Sequence, residues 1–202
     1  MLILASASEA RHQLLKQAQI PHKVIISNFD ESSVKNKKPK EFSEALAYSK
    51  SNTVLEKLLF EKQDLALFDS TEKTFILGCD SIFEFQGEIL GKPRDQKEAI
   101  NRLILMSNQS GILHTGHNLI ILEEANGKLM KKYKSKVIST IVGFSNYKKA
   151  EIEGYVERAK VVNCAGGFTL EGEGSKFIKY INGCYSNVIG LSIPWLKEAI
   201  EQ

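Results

Sequence analysis

Apolar positions along the chain recur with two periods, which predict a mixture of strands and helices. Short apolar runs at 2–5 and 75–79 have the length of buried strands. Apolar residues at helical spacing predict a short helix over 9–19 and a long amphipathic helix over 43–60. Strands and helices are interspersed, which is typical of an α/β protein.

Turn and capping residues mark the element boundaries in the rest of the chain. Ser8 is the candidate N-cap of the first helix, and Asp95 with Glu98 predicts the capping box of another. Asn126-Gly127 predicts the tight turn of a long hairpin, and hairpins exclude a purely parallel sheet. The other predicted elements are strands at 23–27, 82–85, 88–90, 119–122, 137–142 and 176–181, a helix from Ser145 through 156, and a terminal helix starting near Pro194.

Composition restricts the class of protein. A chain of 202 residues with 43% apolar and 25% charged residues suits one globular domain over 1–202. The 27 basic and 24 acidic residues give a formal net charge of +3, without the basic excess of a dedicated nucleic-acid binder. A basic run at 35–40 is the exception, and it fits either a solvated loop or an anion-binding arm.

Cysteine usage and the apolar runs indicate the compartment. Cys79, Cys164 and Cys184 are far apart and form no Cys-x-x-Cys pair, which argues against a disulfide framework and a zinc site. No apolar run approaches the roughly 20 residues of a membrane span, and the first is too short for a signal peptide. We therefore expect a cytoplasmic protein without a membrane partner.

The start of the chain has an arrangement suited to anions. The two common glycine-rich phosphate motifs are absent. However, a predicted strand leads through Ser6 and Ser8 into a helix that contains Arg11, which places hydroxyls, backbone N–H groups and a guanidinium at a positive helix end. Simple capping of the helix by Ser8 is the alternative reading.

Acidic and basic side chains suited to phosphate chemistry follow predicted strands and lie on one helix. Asp30 and Glu31 follow one strand and Asp80 ends another, where turn formation is the alternative role. Such carboxylates offer the oxygen ligands that Mg²⁺ requires, and one could take a proton from water. Lys50 on an apolar helix face and Lys92 before a proline are candidate phosphate counter-charges, although snorkelling and solvation explain them equally well.

His114 and His117 are the remaining candidates for metal ligation. They lie three residues apart, with no Glu or Cys at the spacing of a zinc motif. We therefore expect ordinary strand or turn histidines at both positions.

In chain order, these segments resemble the Maf family of nucleoside triphosphate pyrophosphatases over nearly the whole length. The resemblance is specific because several motifs match in the family's order. The matching segments are Leu4 to Ser8 with Arg11, Phe29-Asp30-Glu31, the helix around Lys50, Gly78-Cys79-Asp80-Ser81, Gly87 to Pro93, Thr115-Gly116, Cys164 to Phe168 with Glu171-Gly172, and Tyr185 to Leu191.

The resemblance implies a fold and a reaction. The implied fold is a Maf or ITPase-like α/β structure, with a mixed sheet, flanking helices and two lobes around a central cleft. The implied reaction is hydrolysis of a nucleoside triphosphate between the α and β phosphates, which yields the monophosphate and pyrophosphate. The implied cofactor is Mg²⁺, with Mn²⁺ as the alternative, and the family is often dimeric.

The resemblance also implies residue roles. Asp80 is the proton acceptor, and Glu31 and Asp80 hold the metal. The implied phosphate ligands are Ser6, Ser8, Arg11, Lys50 and Lys92. Ala10, Ser81 and Glu171 occupy positions that vary with substrate in the family. Only Glu171 and the Cys164-Ala165-Gly166 context lean towards a guanine-type base, so the preferred base stays open.

A nucleotide-binding regulator of cell division that acts without turnover is the competing hypothesis. The presence of both Glu31 and Asp80 with Lys50 and Lys92 favours turnover, because binding alone does not need a carboxylate pair.

Overall fold

A computed structural model of the chain describes residues 1–35, 38–61, 73–125, 128–159 and 161–201. The strands are β1 (Leu2–Leu4), β2 (His22–Val24), β3 (Thr74–Phe85), β4 (Glu88–Leu90), β5 (Ser110–Ala125), β6 (Lys128–Phe144) and β7 (Ile178–Asn182). The α-helices are α1 (Glu9–Gln17), α2 (Pro39–Glu61), α3 (Gln96–Met106), α4 (Lys149–Arg158), α5 (Tyr185–Ile189) and α6 (Ile193–Glu201). Short 3-10 helices cover Glu31–Ser33, Val161–Asn163, Ala165–Gly167 and Gly172–Phe177.

The described strands form one mixed sheet in the order β2-β1-β3-β5-β6-β7, with β4 paired to β3 beside this path. β1 pairs parallel with β2 and β3, whereas β3, β5, β6 and β7 are antiparallel neighbours. The predicted mixed α/β fold is thereby confirmed. In the parts of the chain that the structure describes, no helix combines the length and the apolar character needed to cross a membrane.

Two strands share one edge of β3 and leave a gap between them. β1 pairs with residues 75–77 and β4 with residues 83–85, while β5 occupies the opposite edge over nearly the whole length. Among the described strands, none therefore pairs with residues 78–82 on the edge that β1 and β4 share. Asp80 lies in the middle of this gap.

Helices cover the two faces of the sheet unequally. Side chains alternate between faces along a strand, so Leu77, Cys79 and Phe83 share one face of β3. On that face, α1 and α6 pack at the β1 end, and α3 and α4 pack at the β4 end. The helix α2 covers the opposite face at the β1 end, where it packs against Ile76 and Ile120. Hydrophobic cores thus lie at both ends of β3 with the gap between them, as expected for two lobes.

Two glycines let α2 lie unusually close to the sheet. A Cβ on Gly78 of β3 would lie 2.1 Å from the Ala47 carbonyl oxygen, and one on Gly116 of β5 would lie 2.1 Å from the Ser43 carbonyl oxygen. These separations are far below van der Waals contact, and both oxygens belong to the helix backbone. Only glycine at these positions allows the observed packing of α2.

Two strands that the sequence predicts separately form the single strand β3 in the structure. The sequence predicts strands at 75–79 and 82–85 with Asp80 ending the first, but β3 continues through Asp80 without a break. The prediction that Asp80 ends a strand is therefore wrong. The strand continues because β5 pairs with it residue by residue, with Gly116 opposite Asp80, so that the backbone keeps its hydrogen-bond partners.

Capping residues identify the starts of α1 and α3. Ser8 is the N-cap of α1, and the Asp95 carboxylate accepts a hydrogen bond from Glu98 N at 2.7 Å. The second half of the predicted capping box differs, because the Glu98 carboxylate accepts from Arg94 N at 2.9 Å and not from the cap residue.

Ser145 is not the N-cap of α4, contrary to the prediction. Its backbone N–H donates to Phe177 O at 2.9 Å and its carbonyl accepts from Asn108 N at 3.0 Å, so it continues the extended chain after β6. The cap position is Lys148, whose N–H donates to the Glu151 carboxylate at 2.7 Å.

Other differences lie near the C-terminus and in the loops. The helix α5 was not predicted, and β7 begins two residues later than predicted because a 3-10 helix precedes it. The terminal helix α6 does begin beside Pro194, as predicted. The predicted turn at Asn126-Gly127 and residues 36–37 of the basic run lie outside the described residues.

We predict that Gly78→Ala destabilises the protein by about 1–3 kcal/mol, because its Cβ would push α2 away from the sheet. Gly91→Ala is the matched control, since nothing lies within 4 Å of an added Cβ there, and its effect should stay within about 0.5 kcal/mol. Urea denaturation of both variants measures the difference. Equal midpoints would show that α2 does not depend on this close approach.

His117 anchors α6 to the sheet in its neutral form. It is fully buried, its ring packs against Trp195, and its Nε2 accepts a hydrogen bond from Ser192 N at 2.9 Å. Burial lowers the pKa of His117 from 6.5 to about 4, and the nearby positive charge of Arg11 acts in the same direction.

This shift predicts a pH-dependent loss of stability. Between pH 6.5 and about 4 the unfolded chain binds a proton at His117 and the folded chain does not. As the pH is lowered through this range, His117 therefore reduces the free energy of unfolding by about 3 kcal/mol. The gap in stability between the wild type and His117→Asn should therefore narrow over this range. Parallel stability profiles in chemical denaturation at several pH values would contradict the assignment.

Candidate functional site

Glu31, Lys50 and Asp80 meet at the gap in β3 and form what we call the acid–lysine cluster. Lys50 Nζ lies 2.8 Å from Glu31 Oε1 and also contacts Asp80 Oδ1. The side chains of Lys50 and Asp80 are each 12% exposed, whereas that of Glu31 is 56% exposed. One ammonium group thus lies between two carboxylates, in a cluster that is buried at the sheet and reaches solvent at Glu31.

The local structure explains why these three side chains converge. Lys50 lies on the sheet-facing side of α2, one turn from the buried residues Ala47 and Val54. The Asp30 carboxylate accepts from Ser32 N at 3.0 Å and so caps the 3-10 helix that carries Glu31. Hydrogen bonding from the Ser32 side chain and then from its backbone lowers the pKa of Asp30. Asp30 is therefore used locally, and its neighbour Glu31 is the acid that contacts Lys50.

The environment of Asp80 changes its proton affinity. Burial raises the pKa of Asp80 above its ordinary value of 3.8, and the positive charges of Lys50 and Arg11 oppose that rise. The negative charge of Glu31 adds to it. A carboxylate with a raised pKa is a better proton acceptor than an exposed aspartate, provided that it is ionised at the working pH.

Arg11 lies on the other face of the sheet and ties the two ends of the chain together. Its Nε donates to Gly190 O at 2.8 Å, one terminal nitrogen donates to Ser6 Oγ at 3.0 Å, and the other donates to Ser81 Oγ at 3.1 Å. Ser8 Oγ accepts from the Arg11 backbone N–H at 3.4 Å, which confirms the capping role of Ser8. Each guanidinium nitrogen therefore already has a partner within the protein.

Ser81 follows Asp80 in sequence but faces the opposite side of the strand. Its hydroxyl lies 3.0 Å from Thr115 Oγ1, which in turn donates to Asn187 O at 3.2 Å. The buried Asn187 amide donates to Thr140 Oγ1 and to a β6 carbonyl, both at 3.1 Å. The sequence pattern alone assigns no role to Asn187, although this residue lies within the matching segment Tyr185 to Leu191.

Lys92, Ala10 and Glu171 are exposed, and none of them has a side-chain hydrogen bond or ion pair to the acid–lysine cluster among the described residues. The segment of Lys92 is nevertheless fixed, because Gly91 O accepts from Arg102 at 2.6 Å. The charge of Lys92 also acts on Cys164, whose thiol pKa is raised by burial and partly lowered by this lysine. The structure therefore brings together Glu31, Lys50 and Asp80. It leaves Lys92, Ala10 and Glu171 exposed at the surface of the protein.

The acid–lysine cluster fits a divalent cation that is shared with a ligand. Glu31 and Asp80 converge on a single cation, the ammonium of Lys50, and carboxylate oxygens are the ligands that Mg²⁺ prefers. No group of three or more His, Cys, Asp or Glu side chains suited to a metal occurs in the described part of the chain. One or two carboxylates completed by phosphate oxygens is the usual arrangement for Mg²⁺ in nucleotide sites.

Comparison with known proteins shows the family of the chain. The family model described as Maf-like protein matches residues 1–202. The chain belongs to the Maf-like protein family. Its membership accounts for the order of the segments that carry Arg11, Glu31, Lys50 and Asp80.

Relatives in this Maf-like family share a common name. A protein of Prochlorococcus marinus is 48% identical, with 100% of this chain and 97% of that protein covered, and is named nucleoside triphosphate pyrophosphatase. A protein from a second strain of that organism is 46% identical, with 100% and 95% covered. A Parasynechococcus marenigrum protein is 42% identical, with 99% and 94% covered, and both carry the same name.

We predict that Arg11→Lys destabilises the free Maf-like protein by about 2 kcal/mol or more, because one ammonium cannot serve the three separate acceptors of the guanidinium. Arg94→Lys is the control, since Arg94 is 87% exposed and its ion pair with Glu98 should matter by less than about 1 kcal/mol. Thermal unfolding without nucleotide or metal measures both. Equal melting temperatures would mean that Arg11 does not hold the fold.

Proposed function

We propose that this chain is a nucleoside triphosphate pyrophosphatase that hydrolyses the bond between the α and β phosphates and releases the monophosphate and pyrophosphate. The observation that carries the proposal is the acid–lysine cluster, in which a buried carboxylate with a raised pKa is held by an ammonium beside a second carboxylate. The name carried by relatives at 42–48% identity supports the same activity.

In the proposed reaction, Asp80 takes a proton from the attacking water. A bond forms between the water oxygen and the α-phosphorus, and the bridging bond to the β-phosphate breaks. The electron pair of that bond leaves with pyrophosphate, and the proton passes to the Asp80 carboxylate. Lys50 holds Asp80 Oδ1 in place, so that the acceptor does not have to be ordered during the reaction.

Glu31 and Asp80 would hold the cofactor, Mg²⁺ or in its place Mn²⁺. When bound, the metal would share the negative charge that the departing pyrophosphate develops. Lys50 supplies positive charge at the same point, and Glu31 reaches it from the solvent side. The two carboxylates and the lysine would then be the main electrostatic elements of the site.

The structure supports the four remaining candidate phosphate ligands, Lys92, Ser6, Ser8 and Arg11, to different degrees. Lys92 is exposed and has no ion pair in the described part of the chain, so its ammonium can meet a phosphate. Ser6, Ser8 and Arg11 are bonded to one another, and a phosphate would have to replace one of those hydrogen bonds. We propose that these three residues act mainly by fixing the loop between β1 and α1.

Substrate preference is proposed to depend on Ala10, Ser81 and Glu171. Ala10 and Glu171 are exposed, and the Glu171 carboxylate can accept hydrogen bonds from a guanine edge. Ser81 is turned towards Arg11 and Thr115, so it would act through them and not by direct contact from the Asp80 face.

We further propose one cytoplasmic domain over 1–202. A single sheet that contains every described strand supports one domain, and three free cysteines suit a reducing compartment. The near balance of charge supports the absence of a nucleic-acid partner, and the resemblance to the family is the support for a homodimer.

We predict that Asp80→Asn lowers kcat by at least about 100-fold, the usual contribution of a general base, while nucleotide binding is largely kept. Asp95→Asn is the matched control, because asparagine caps a helix as well as aspartate and activity should not change. The assay adds Mg²⁺ and a panel of canonical and modified triphosphates, and it measures pyrophosphate and orthophosphate separately.

Three outcomes would contradict the proposal. Release of orthophosphate alone would exclude cleavage between the α and β phosphates. Unchanged turnover in Asp80→Asn would remove Asp80 from its role. Binding without any turnover in the wild type would favour the regulator of cell division that acts by contact.

A further inference from the structure

A buried hydrogen bond joins α2 to the sheet directly beside Lys50. Asn118 Nδ2 on β5 donates to Ser51 Oγ on α2 at 2.6 Å. Ser51 is fully buried and Asn118 is 1% exposed. Further along the helix, the contacts of α2 with the sheet are apolar, against Ile76 and Ile120. A polar pair therefore lies inside the interface that brings Lys50 to the site.

The surrounding hydrogen bonds fix the direction of each donor in this pair. The Ser51 hydroxyl donates back to the helix carbonyl Tyr48 O at 2.9 Å, so its oxygen is free to accept from Asn118. The Asn118 amide oxygen accepts from Ser135 Oγ on β6 at 2.6 Å. An amide whose oxygen is used towards β6 presents its nitrogen to α2. We call the pair of Ser51 and Asn118 the Ser–Asn link.

The Ser–Asn link and the acid–lysine cluster occupy neighbouring rows of the sheet. Asn118 is opposite Gly78 on β3, two residues from Asp80. Two residues along a strand keep side chains on the same face and separate the rows by about 7 Å. On the helix, Ser51 follows Lys50 directly. Polar groups of α2 thus contact the sheet at two adjacent rows, Ser51 at the row of Gly78 and Lys50 at the row of Asp80.

The Ser–Asn link supplies a constraint that the apolar contacts of α2 lack. Hydrophobic burial is non-directional, and the close approach at Gly78 sets the distance of the helix from the sheet without preventing a slide or a rotation. A displaced helix would leave the Asn118 amide without its partner in a region closed to water, which is costly. A single buried asparagine fixes the register of packed helices in coiled coils for the same reason.

We propose that Asn118 is a positioning residue of the candidate site, because through Ser51 it fixes α2 on the sheet so that the Lys50 ammonium meets the Asp80 carboxylate. Asn118 is buried beneath α2 and acts through Lys50. Its effect on turnover rests on the proposed function, in which Lys50 holds the proton acceptor. Its effect on the contact between Lys50 and Asp80 does not depend on turnover.

The first experiment measures the contact between Lys50 and Asp80 without substrate. Lys50→Met, Asp80→Asn and their combination form a double-mutant cycle in urea denaturation, and its non-additivity reports the contact. The cycle is repeated in a Ser51→Ala/Asn118→Leu background, in which apolar groups of similar size replace the Ser–Asn link. We expect the coupling between Lys50 and Asp80 to fall by about half or more in that background.

The second experiment measures turnover in the Ser51→Ala/Asn118→Leu variant with Lys50 and Asp80 intact. Replacement of both partners leaves no unpaired group between α2 and β5, so the urea midpoint should stay close to that of the wild type. In contrast, kcat should fall roughly tenfold, because a small displacement of a group in the site is enough to slow the reaction. The same replacement should cause no further loss of kcat when Lys50→Met is already present.

Two further variants complete the comparison. Tyr133→Phe is the matched control, since it removes another side-chain hydrogen bond between β6 and α2, from Tyr133 Oη to Asn52 Oδ1 at 3.4 Å, at an exposed position. It should leave both the coupling and kcat unchanged. Ser51→Ala alone removes only the acceptor, and it replaces the combined variant in both experiments if that variant does not fold.

Two results would overturn the inference. One is an unchanged coupling between Lys50 and Asp80 after the Ser–Asn link is removed. The other is a loss of kcat that is as large in the Lys50→Met background as in the wild type, because the link would then be only structural. If the coupling falls but the wild type turns over no triphosphate, the inference stands and the proposed function fails.

Discussion

The close contact between α2 and the sheet is the constraint on which the candidate site depends. Lys50 reaches Asp80 only because Gly78 and Gly116 remove the side chains that would hold the helix away. The resulting ion pair is buried, and the cost of removing both charges from water is offset by their direct contact and by the neighbouring Glu31. Fold stability and site geometry therefore depend on the same two glycines.

The gap in strand pairing along one edge of β3 leaves the contact between Lys50 and Asp80 open to a ligand. β1 and β4 pair with the two ends of the strand, and of the described strands only β5 pairs with its middle. Asp80 is consequently fixed in a regular strand, which is more rigid than a loop, and yet none of the described strands pairs with it on the edge that β1 and β4 share. A site built on a strand holds its groups in place more firmly than a loop does.

Successive side chains of β3 point to opposite faces of the sheet, so the neighbours Asp80 and Ser81 have different roles. Asp80 faces α2 and the acid–lysine cluster, whereas Ser81 faces Arg11 on the other side of the sheet. Arg11 joins the loop after β1 to Gly190 near the C-terminus, so it links segments that are 179 residues apart. Asp80 and Ser81 are adjacent in one motif. Asp80 thus belongs to the acid–lysine cluster, whereas Ser81 belongs to the hydrogen bonds of Arg11 on the other face of the sheet.

The sequence by itself determined the mixed α/β class, most elements, the capping by Ser8 and the set of charged residues from which the site is built. Those features follow from local periodicity, capping chemistry and the order of motifs, none of which needs knowledge of distant contacts. Only the tertiary structure decided that Asp80 lies within a strand, that Arg11 is bonded internally, and that His114 joins Glu84 to Ser139. Each of these depends on which strands pair and in what register, and side chains on separate strands meet only once that pairing is fixed.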